Sequence, residues 1–302
     1  MDKFDVLIVG TGAMACLFAA RLSEVGLRVM MLGTWAEGLR VLNGQGVQLV
    51  DLEGNEHSYS VRATNDPELC QGAELALVMV KAWQTEQAAQ RLAGCLDPDG
   101  LALTLQNGDG NYQTLVRFLG SRRVALGSTT LGATLIAPGV VRLAGDGVVT
   151  LGIHGRLEPM THLLVKAGFV VETVTDINSV QWGKLVINAG INPLTALLRV
   201  PNGDLLKLPS ARAVMTAAVR EAAAVAIAKG VHLPYPDPVV AVESIARRTA
   251  SNFSSMLQDI LRGAPTEIDF ITGAIVRAGE KTGVSVSLNR TLWLLVKAAT
   301  GR

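Results

Sequence analysis

Three polar residues recur at intervals of four along an otherwise apolar helical segment, WGKLVINAGINPLTALL (182–198). Because four residues advance about 400° around an α-helix, Lys184, Asn188 and Asn192 lie on one stripe of its surface. A lysine there is a cationic donor that could protonate a carbonyl oxygen as hydride reaches the carbon, while the asparagines orient it or hold substrate hydroxyls. Taken alone, the segment is explained equally well by a lysine that reaches solvent and asparagines that cap backbone groups.

The proline that follows Asn192 bears on where this helix ends. Proline has no N–H, and the residue before a proline avoids the α region. We therefore predict that the helix ends or kinks at Asn192-Pro193, which would release backbone groups near Asn192.

A second polar cluster lies in SNFSSMLQDILRGAPTEIDFITG (251–273), where Ser255 and Glu267 stand among apolar residues. Glu267 is predicted on the first turn of a helix after Pro265, where the helix dipole favours an acid. As an isolated residue, Glu267 is better explained by that dipole than by chemistry.

Two further candidates follow strand-like runs. Lys81 in VMVKAWQ and Asn107 in LQNGDG both come at the carboxyl ends of predicted strands. Open α/β sheets bind their ligands at this edge, although each residue is equally typical of the start of a loop.

The first strand-like run, FDVLIVG (4–10), enters a glycine-rich turn of the form G-x-G-x-x-A, followed by a helical pattern. Gly10 permits a tight turn, Gly12 lets a pyrophosphate approach the backbone, and Ala15 allows close packing of helix on strand. Strand, turn, helix and second strand in this order favour a dinucleotide site over a turn without a ligand. The predicted cofactor contacts in the turn are Gly10, Thr11, Gly12, Ala13, Met14 and Ala15.

The second strand-like run, LRVMML, ends in Gly33-Thr34-Trp35 and carries no acid. An acid at this place binds the ribose hydroxyls of NAD and repels a 2′-phosphate, so its absence favours NADP(H). Thr34 could donate a hydrogen bond to the phosphate, but the expected arginine is missing, and Arg40 is the nearest one along the chain.

The order of strand-like and helical patterns predicts an α/β fold of two parts. Short aliphatic runs alternate with helices in the first half, which indicates a parallel sheet with crossover helices. We predict a Rossmann-type doubly wound NADP-binding domain at 1–175 and an all-helical substrate and catalytic domain at 176–302, with the ligands in the cleft between them. The strands are predicted at 4–10, 27–33, 74–82, 102–107, 124–130, 140–145 and 148–153, the last three hairpin-like, and the later helices at 211–230, 239–250, 267–283 and 288–301.

Composition narrows the functional classes. The 302 residues carry a net charge of +1 without a basic run, which makes nucleic acid an improbable partner and favours a small molecule. The three widely spaced cysteines indicate neither disulfides nor a metal site, and no run reaches the roughly 18 apolar residues of a membrane span. Without a signal-peptide pattern, we expect a cytoplasmic protein.

The apolar segment LNRTLWLLVKAA (288–299) suits packing within its own domain, or against a second copy in a homodimer.

Together these segments resemble the ketopantoate reductase (2-dehydropantoate 2-reductase) family. The resemblance extends from the glycine turn through KAWQ, LQNG and GSTT to WGKLVINAGINPLTAL and SSMLQDILRGAPTEIDFITG. It implies NADPH-dependent reduction of 2-dehydropantoate, a 2-keto acid, to (R)-pantoate. It also implies that Lys184 is the general acid, Glu267 an active-site acid, Asn188 and Asn192 substrate-binding residues and Ser255 a carboxylate-binding residue, with Lys81 and Asn107 facing cofactor and substrate.

Two alternatives remain open at this stage. A reductase of another 2-keto acid would keep the same reactive groups and differ only in its substrate pocket. A non-catalytic NADP-binding module would keep the cofactor turn without turnover, and the missing arginine after the second strand is the kind of change such a protein would show.

Overall fold

The structure of the protein is a computed structural model that describes residues 4–301. The chain divides into two compact units. The first contains the described residues up to 106 and 111–177, and the second contains 107–110 and the described residues from 178 onward.

The first unit is built on an eight-stranded sheet in the order β12-β11-β8-β7-β6-β1-β2-β5. Its strands are parallel except where β11 runs antiparallel to β8, which confirms the predicted doubly wound sheet. The strands are β1 (Val6–Val9), β2 (Val29–Leu32), β5 (Arg62–Thr64), β6 (Ala73–Val78), β7 (Leu96–Thr104), β8 (Val124–Thr129), β11 (Val148–Gly152) and β12 (Val170–Val174).

A second sheet of four strands has the order β4-β3-β10-β9. It contains β3 (Val47–Val50), β4 (Glu56–Tyr59), β9 (Gly132–Ala137) and β10 (Val140–Gly145). The predicted hairpin character holds for β10, which pairs antiparallel with β9, but it is wrong for β11, which joins the large sheet beside β8. Strand β4 was not predicted, because its residues are polar and largely exposed and show no apolar alternation.

Among the described residues, the α-helices of the first unit are α1 (Ala13–Glu24), α2 (Ala36–Gln45), α3 (Thr85–Ala93), α4 (Asn111–Leu119) and α5 (Glu158–Lys166). Helix α1 contacts β1 and β2 of the large sheet and β3, β9 and β10 of the small one. Because both sides of α1 are covered, the whole run from Ala15 to Ala20 is buried. This packing fixes the direction in which the amino end of α1 points.

The second unit is helical, as predicted. Its helices are α6 (Ile177–Leu198), α7 (Asp204–Lys207), α8 (Pro209–Ala228), α9 (Pro238–Arg248), α10 (Ser255–Leu261), α11 (Thr272–Thr282) and α12 (Ser287–Thr300). Within residues 4–301, no helix combines the length and the apolar character that crossing a membrane requires.

Of the two outcomes predicted at Asn192-Pro193, a helix end or a kink, the helix end is wrong, because α6 continues through Pro193 to Leu198. A proline inside a helix removes one hydrogen bond, here the N–H that would meet the carbonyl of Ala189, and costs about 3 kcal/mol. Burial of Ile191, Leu194 and Ala196 on this stretch offsets that cost. The stripe of Lys184, Asn188 and Asn192 therefore lies on one uninterrupted helix.

Candidate functional site

The glycine-rich turn has the local geometry that a dinucleotide requires. Gly10 has φ +133°, and a Cβ there would lie 2.9 Å from the carbonyl oxygen of Met79. A Cβ on Gly12 would meet no described atom within 4 Å, so open space borders the backbone at this point. Helix α1 begins at the next residue, and its amino end receives no side-chain cap from Gly12. The turn thus fits a pyrophosphate, which would meet backbone N–H groups at a helix N-terminus.

The end of β2 packs directly against this turn. A Cβ on Gly33 would lie only 2.6 Å from Cγ2 of Thr11. The buried Thr11 side chain therefore occupies the space that a side chain at position 33 would need. Thr34 and Trp35, the next two residues, are exposed. Sequence reasoning missed Arg91, which reaches this point from the last turn of α3 and donates from Nη1 to the carbonyl oxygen of Gly33 over 3.3 Å.

A buried polar network holds the loops after β6 and β7. Gln106 donates from Nε2 to the carbonyl oxygen of Val80 and to Oγ1 of Thr85, both over 2.8 Å. Thr85 in turn donates to Oδ1 of Asn111 over 2.9 Å. Lys81 follows Val80 and is half-buried. The network fixes the backbone on which Lys81 stands, and Gln106 was not singled out because a single buried glutamine has no sequence pattern.

Helix α6 carries the polar stripe of the second unit. Lys184 and Asn188 are half-buried and Asn192 is buried. Burial lowers the pKa of the Lys184 ammonium from 10.5 to about 8, and the negative charge of Glu267 partly opposes that shift. The structure therefore brings Lys184 and Glu267 close enough to interact, although 83 positions (267 − 184) separate them along the chain.

Glu267 lies in a turn, not in a helix. Helix α11 begins only at Thr272, so the prediction that Glu267 occupies the first turn of a helix is wrong. Its carbonyl oxygen accepts hydrogen bonds from the N–H groups of Phe270 and Ile271, each over 3.0 Å, which closes the turn on itself. Because Glu267 lies outside α11, the helix dipole does not explain an acid at this position. The residue is also only 5% exposed.

The turn that carries Asn107 packs against the Glu267 segment. The N–H of Asp109 donates to the carbonyl oxygen of Phe270 over 2.9 Å. Gly108 has φ +87°, and a Cβ there would lie 2.7 Å from the same oxygen, so only glycine allows this approach. Asn107 is therefore held beside residues 267–271 within the second unit.

Ser255 is the first residue of α10, and its neighbour Ser254 anchors that helix to α6. Oγ of Ser254 accepts from the N–H of Leu257 over 3.1 Å and lies 2.7 Å from Oγ1 of Thr195. Thr195 is fully buried one turn beyond Asn192 on α6. Ser255 is thereby positioned relative to the polar stripe. Ser254 and Thr195 were missed as positioning residues because their contact spans 59 positions in sequence.

Within the described part of the chain, no three His, Cys, Asp or Glu side chains are grouped so that they could hold a metal ion. The three cysteines are buried as free thiols.

Both halves of the chain match models of one protein family. Residues 6–156 match the family model described as ketopantoate reductase PanE/ApbA, and residues 176–300 match the model of its C-terminal part. The chain is 37% identical over 299 residues to the 2-dehydropantoate 2-reductase of Archaeoglobus fulgidus, with 97% of this chain and 96% of that protein covered.

Solved structures agree with these matches. A PanE/ApbA family ketopantoate reductase from Ralstonia eutropha superposes with a TM-score of 0.91 at 32% identity, over 98% of both chains. A D-mandelate dehydrogenase, solved with NADH and anilino(oxo)acetate, superposes with the same TM-score at 28% identity, also over 98% of both chains. With both halves matched in order by one family's models and a relative above 30% identity over nearly its full length, this chain belongs to the ketopantoate reductase PanE/ApbA family.

Proposed function

We propose that the protein is a 2-dehydropantoate 2-reductase that uses NADPH to reduce 2-dehydropantoate to (R)-pantoate, with Lys184 as general acid. The observation that carries this proposal is a half-buried lysine whose pKa is lowered to about 8, beside Glu267 and on the same helix face as two asparagines. The relatives named 2-dehydropantoate 2-reductase support the substrate.

The first unit supplies the cofactor-binding residues in this proposal. NADPH, when bound, supplies the hydride that is added to the keto carbon. The backbone from Gly10 to Ala15 would hold its pyrophosphate at the amino end of α1, and Thr34 lies where the adenosine ribose is expected. Lys81 and Asn107 follow β6 and β7 and would contact the cofactor, and Asn107 would also contact the substrate.

The second unit supplies the proton and the substrate contacts. Lys184 carries a proton on Nζ and donates it to the keto oxygen as the carbon receives hydride, so that the carbonyl becomes a secondary alcohol. The neutral amine then regains a proton from water. The negative charge of Glu267 raises the pKa of Lys184, which favours the protonated lysine before each turnover. Glu267 also accepts a hydrogen bond from a substrate hydroxyl. Asn188 and Asn192 hold substrate hydroxyls.

The substrate carboxylate needs a donor of its own. Ser255 stands at the amino end of α10, fixed in place by the contact between Ser254 and Thr195. A hydroxyl can donate a hydrogen bond to a carboxylate, and we assign the carboxylate of the 2-keto acid to Ser255.

The proposal is tested by following NADPH oxidation with 2-dehydropantoate. Lys184→Ala should lower kcat by about 10²- to 10⁴-fold, the usual contribution of a positioned general acid. Lys207→Ala is the matched control, because that lysine is exposed and paired with Asp204 on α7. Equal turnover of the wild type and Lys184→Ala would refute the assignment.

A second candidate is a reductase of another 2-keto acid within the same family. The similarity to D-mandelate dehydrogenase favours it, because that protein was solved with NADH and an aryl-substituted oxoacetate. A panel that compares kcat/KM for 2-dehydropantoate and for 2-oxo-2-phenylacetate separates the two substrates. A higher value for the aryl acid would overturn the first assignment in favour of the second.

A non-catalytic NADP-binding module is the third candidate. Calorimetry distinguishes it from both reductases, because such a module would bind NADPH but would not then bind a 2-keto acid. The charge interaction between Lys184 and Glu267 argues for turnover, since cofactor binding by the first unit has no need of it.

A further inference from the structure

The proposed use of NADPH requires a positively charged group near the end of β2. A 2′-phosphate carries negative charge, and a nearby arginine normally accommodates it. Here the strand is followed by Gly33, Thr34 and Trp35, none of which carries a charge, and the exposed Thr34 hydroxyl can donate to such a phosphate. The next charged residue along the chain, Glu37, has the wrong sign.

Arg91 brings a cation to this point from a different element. Its side chain extends from the last turn of α3, and Nη1 donates to the carbonyl oxygen of Gly33 over 3.3 Å. Nη2 donates to the carbonyl oxygen of Asn65, which follows β5. Strands β2 and β5 pair in parallel, with Leu32 opposite Thr64, so the guanidinium bridges the carboxyl ends of two neighbouring strands.

The charge of Arg91 is not neutralised by these contacts. Both partners are neutral backbone carbonyl groups, so neither supplies a countercharge to the guanidinium. A guanidinium has five N–H donors, and these two hydrogen bonds leave three of them for another ligand. Arg91 is also half-buried, which weakens its hydration and strengthens its interaction with an anion.

We propose that Arg91 is the residue that recognises the 2′-phosphate of NADPH in this protein, in the place of an arginine directly after β2. The inference rests on the proposed use of NADPH. Its two carbonyl contacts hold the planar guanidinium at the edge of the sheet where the adenosine ribose of a bound dinucleotide lies. The Thr34 hydroxyl, on the residue after Gly33, supplies a second donor to the same phosphate.

The test measures nucleotide affinity without any keto acid. Dissociation constants for NADPH, NADH, adenosine 2′,5′-bisphosphate and AMP are determined by calorimetry for the wild type and for Arg91→Ala. The wild type should prefer the 2′-phosphorylated member of each pair. Arg91→Ala should weaken NADPH and the bisphosphate by about 10- to 100-fold, as expected for charge-assisted hydrogen bonds, and leave NADH and AMP within about twofold. Arg40→Ala, an exposed arginine of α2, is the matched control and should change none of the four.

Arg91→Gln separates recognition from local structure. Glutamine keeps an N–H donor for the carbonyl of Gly33 or Asn65 but has no charge, so it should lose the preference for the 2′-phosphate and still bind NADH. A wild type without that preference, an unchanged ratio of NADPH to NADH affinity in both variants, or equal weakening of all four nucleotides would overturn the proposal. Absence of turnover with 2-dehydropantoate would refute the proposed substrate instead, because none of these binding measurements contains it.

Discussion

At the scale of single residues, the proposed chemistry depends on the charge of Lys184. Burial favours the neutral amine, whereas the negative charge of Glu267 favours the ammonium, and the two effects leave the pKa at about 8. A proton donor with this pKa is largely protonated at neutral pH and still gives up its proton readily. The pair thus poises Lys184 for its proposed role.

Removing the charge of Glu267 should move this balance in a known direction. In Glu267→Gln, the effect that raises the pKa of Lys184 is lost, so that pKa should fall below about 8. Because the general acid is active only while protonated, the decline of kcat/KM at high pH should begin at a lower pH than in the wild type. Glu280→Gln, an exposed glutamate of α11 paired with Arg290, is the control. A decline that stays in place, or moves to higher pH, would show that Glu267 does not act through Lys184.

The polar stripe was predictable at this scale, whereas its partners were not. Lys184, Asn188 and Asn192 share a face because the helical period is fixed, so spacing alone was sufficient. The burial of Glu267 and the reach of Arg91 to Gly33 depend on contacts between distant parts of the chain, which no local pattern records.

At the scale of elements, the position of α6 depends on how closely α8 approaches it. A Cβ on Gly190 would overlap the side chain of Val219, which is fully buried on α8 and has little freedom to move. The absence of a side chain at Gly190 therefore sets the distance between the two helices, and with it the place of the stripe.

Gly190→Ala should accordingly destabilise the protein despite the higher helix propensity of alanine. Overpacking of a core typically costs about 1–3 kcal/mol, which should appear as a lower melting temperature. Adding Val219→Ala makes room for the new methyl group, so the double variant should be less destabilised than the sum of the two single variants. Additive losses in thermal unfolding would show that the two positions do not clash.

Element prediction succeeded where an apolar run coincided with a strand and failed where tertiary contacts decided. In the large sheet, aliphatic runs in the sequence marked β1, β2, β6, β7 and β8, but not the short β5. The polar β4 had no such mark, and the continuation of α6 past Pro193 follows from burial that compensates a lost hydrogen bond. Local patterns thus predicted which elements form more reliably than where they end.

At the scale of the whole molecule, the chain forms two kinds of core. The first unit buries aliphatic side chains on both faces of its large sheet, and the second buries a core made by its helices alone. Composition and periodicity were sufficient to predict this organisation, because a 302-residue chain that is 49% hydrophobic can bury more than one core.

The pH dependence of kcat/KM for NADPH-dependent reduction of 2-dehydropantoate tests the central claim most directly, in the wild type and in Lys184→Ala. Because the pKa of Lys184 is about 8, the wild-type value should be level below that pH and should fall about tenfold per pH unit above it. Lys184→Ala should be slower by about 10²- to 10⁴-fold and should lack this decline. A Lys184→Ala enzyme that keeps both the wild-type rate and the same decline near pH 8 would contradict the assignment of Lys184 as the proton donor.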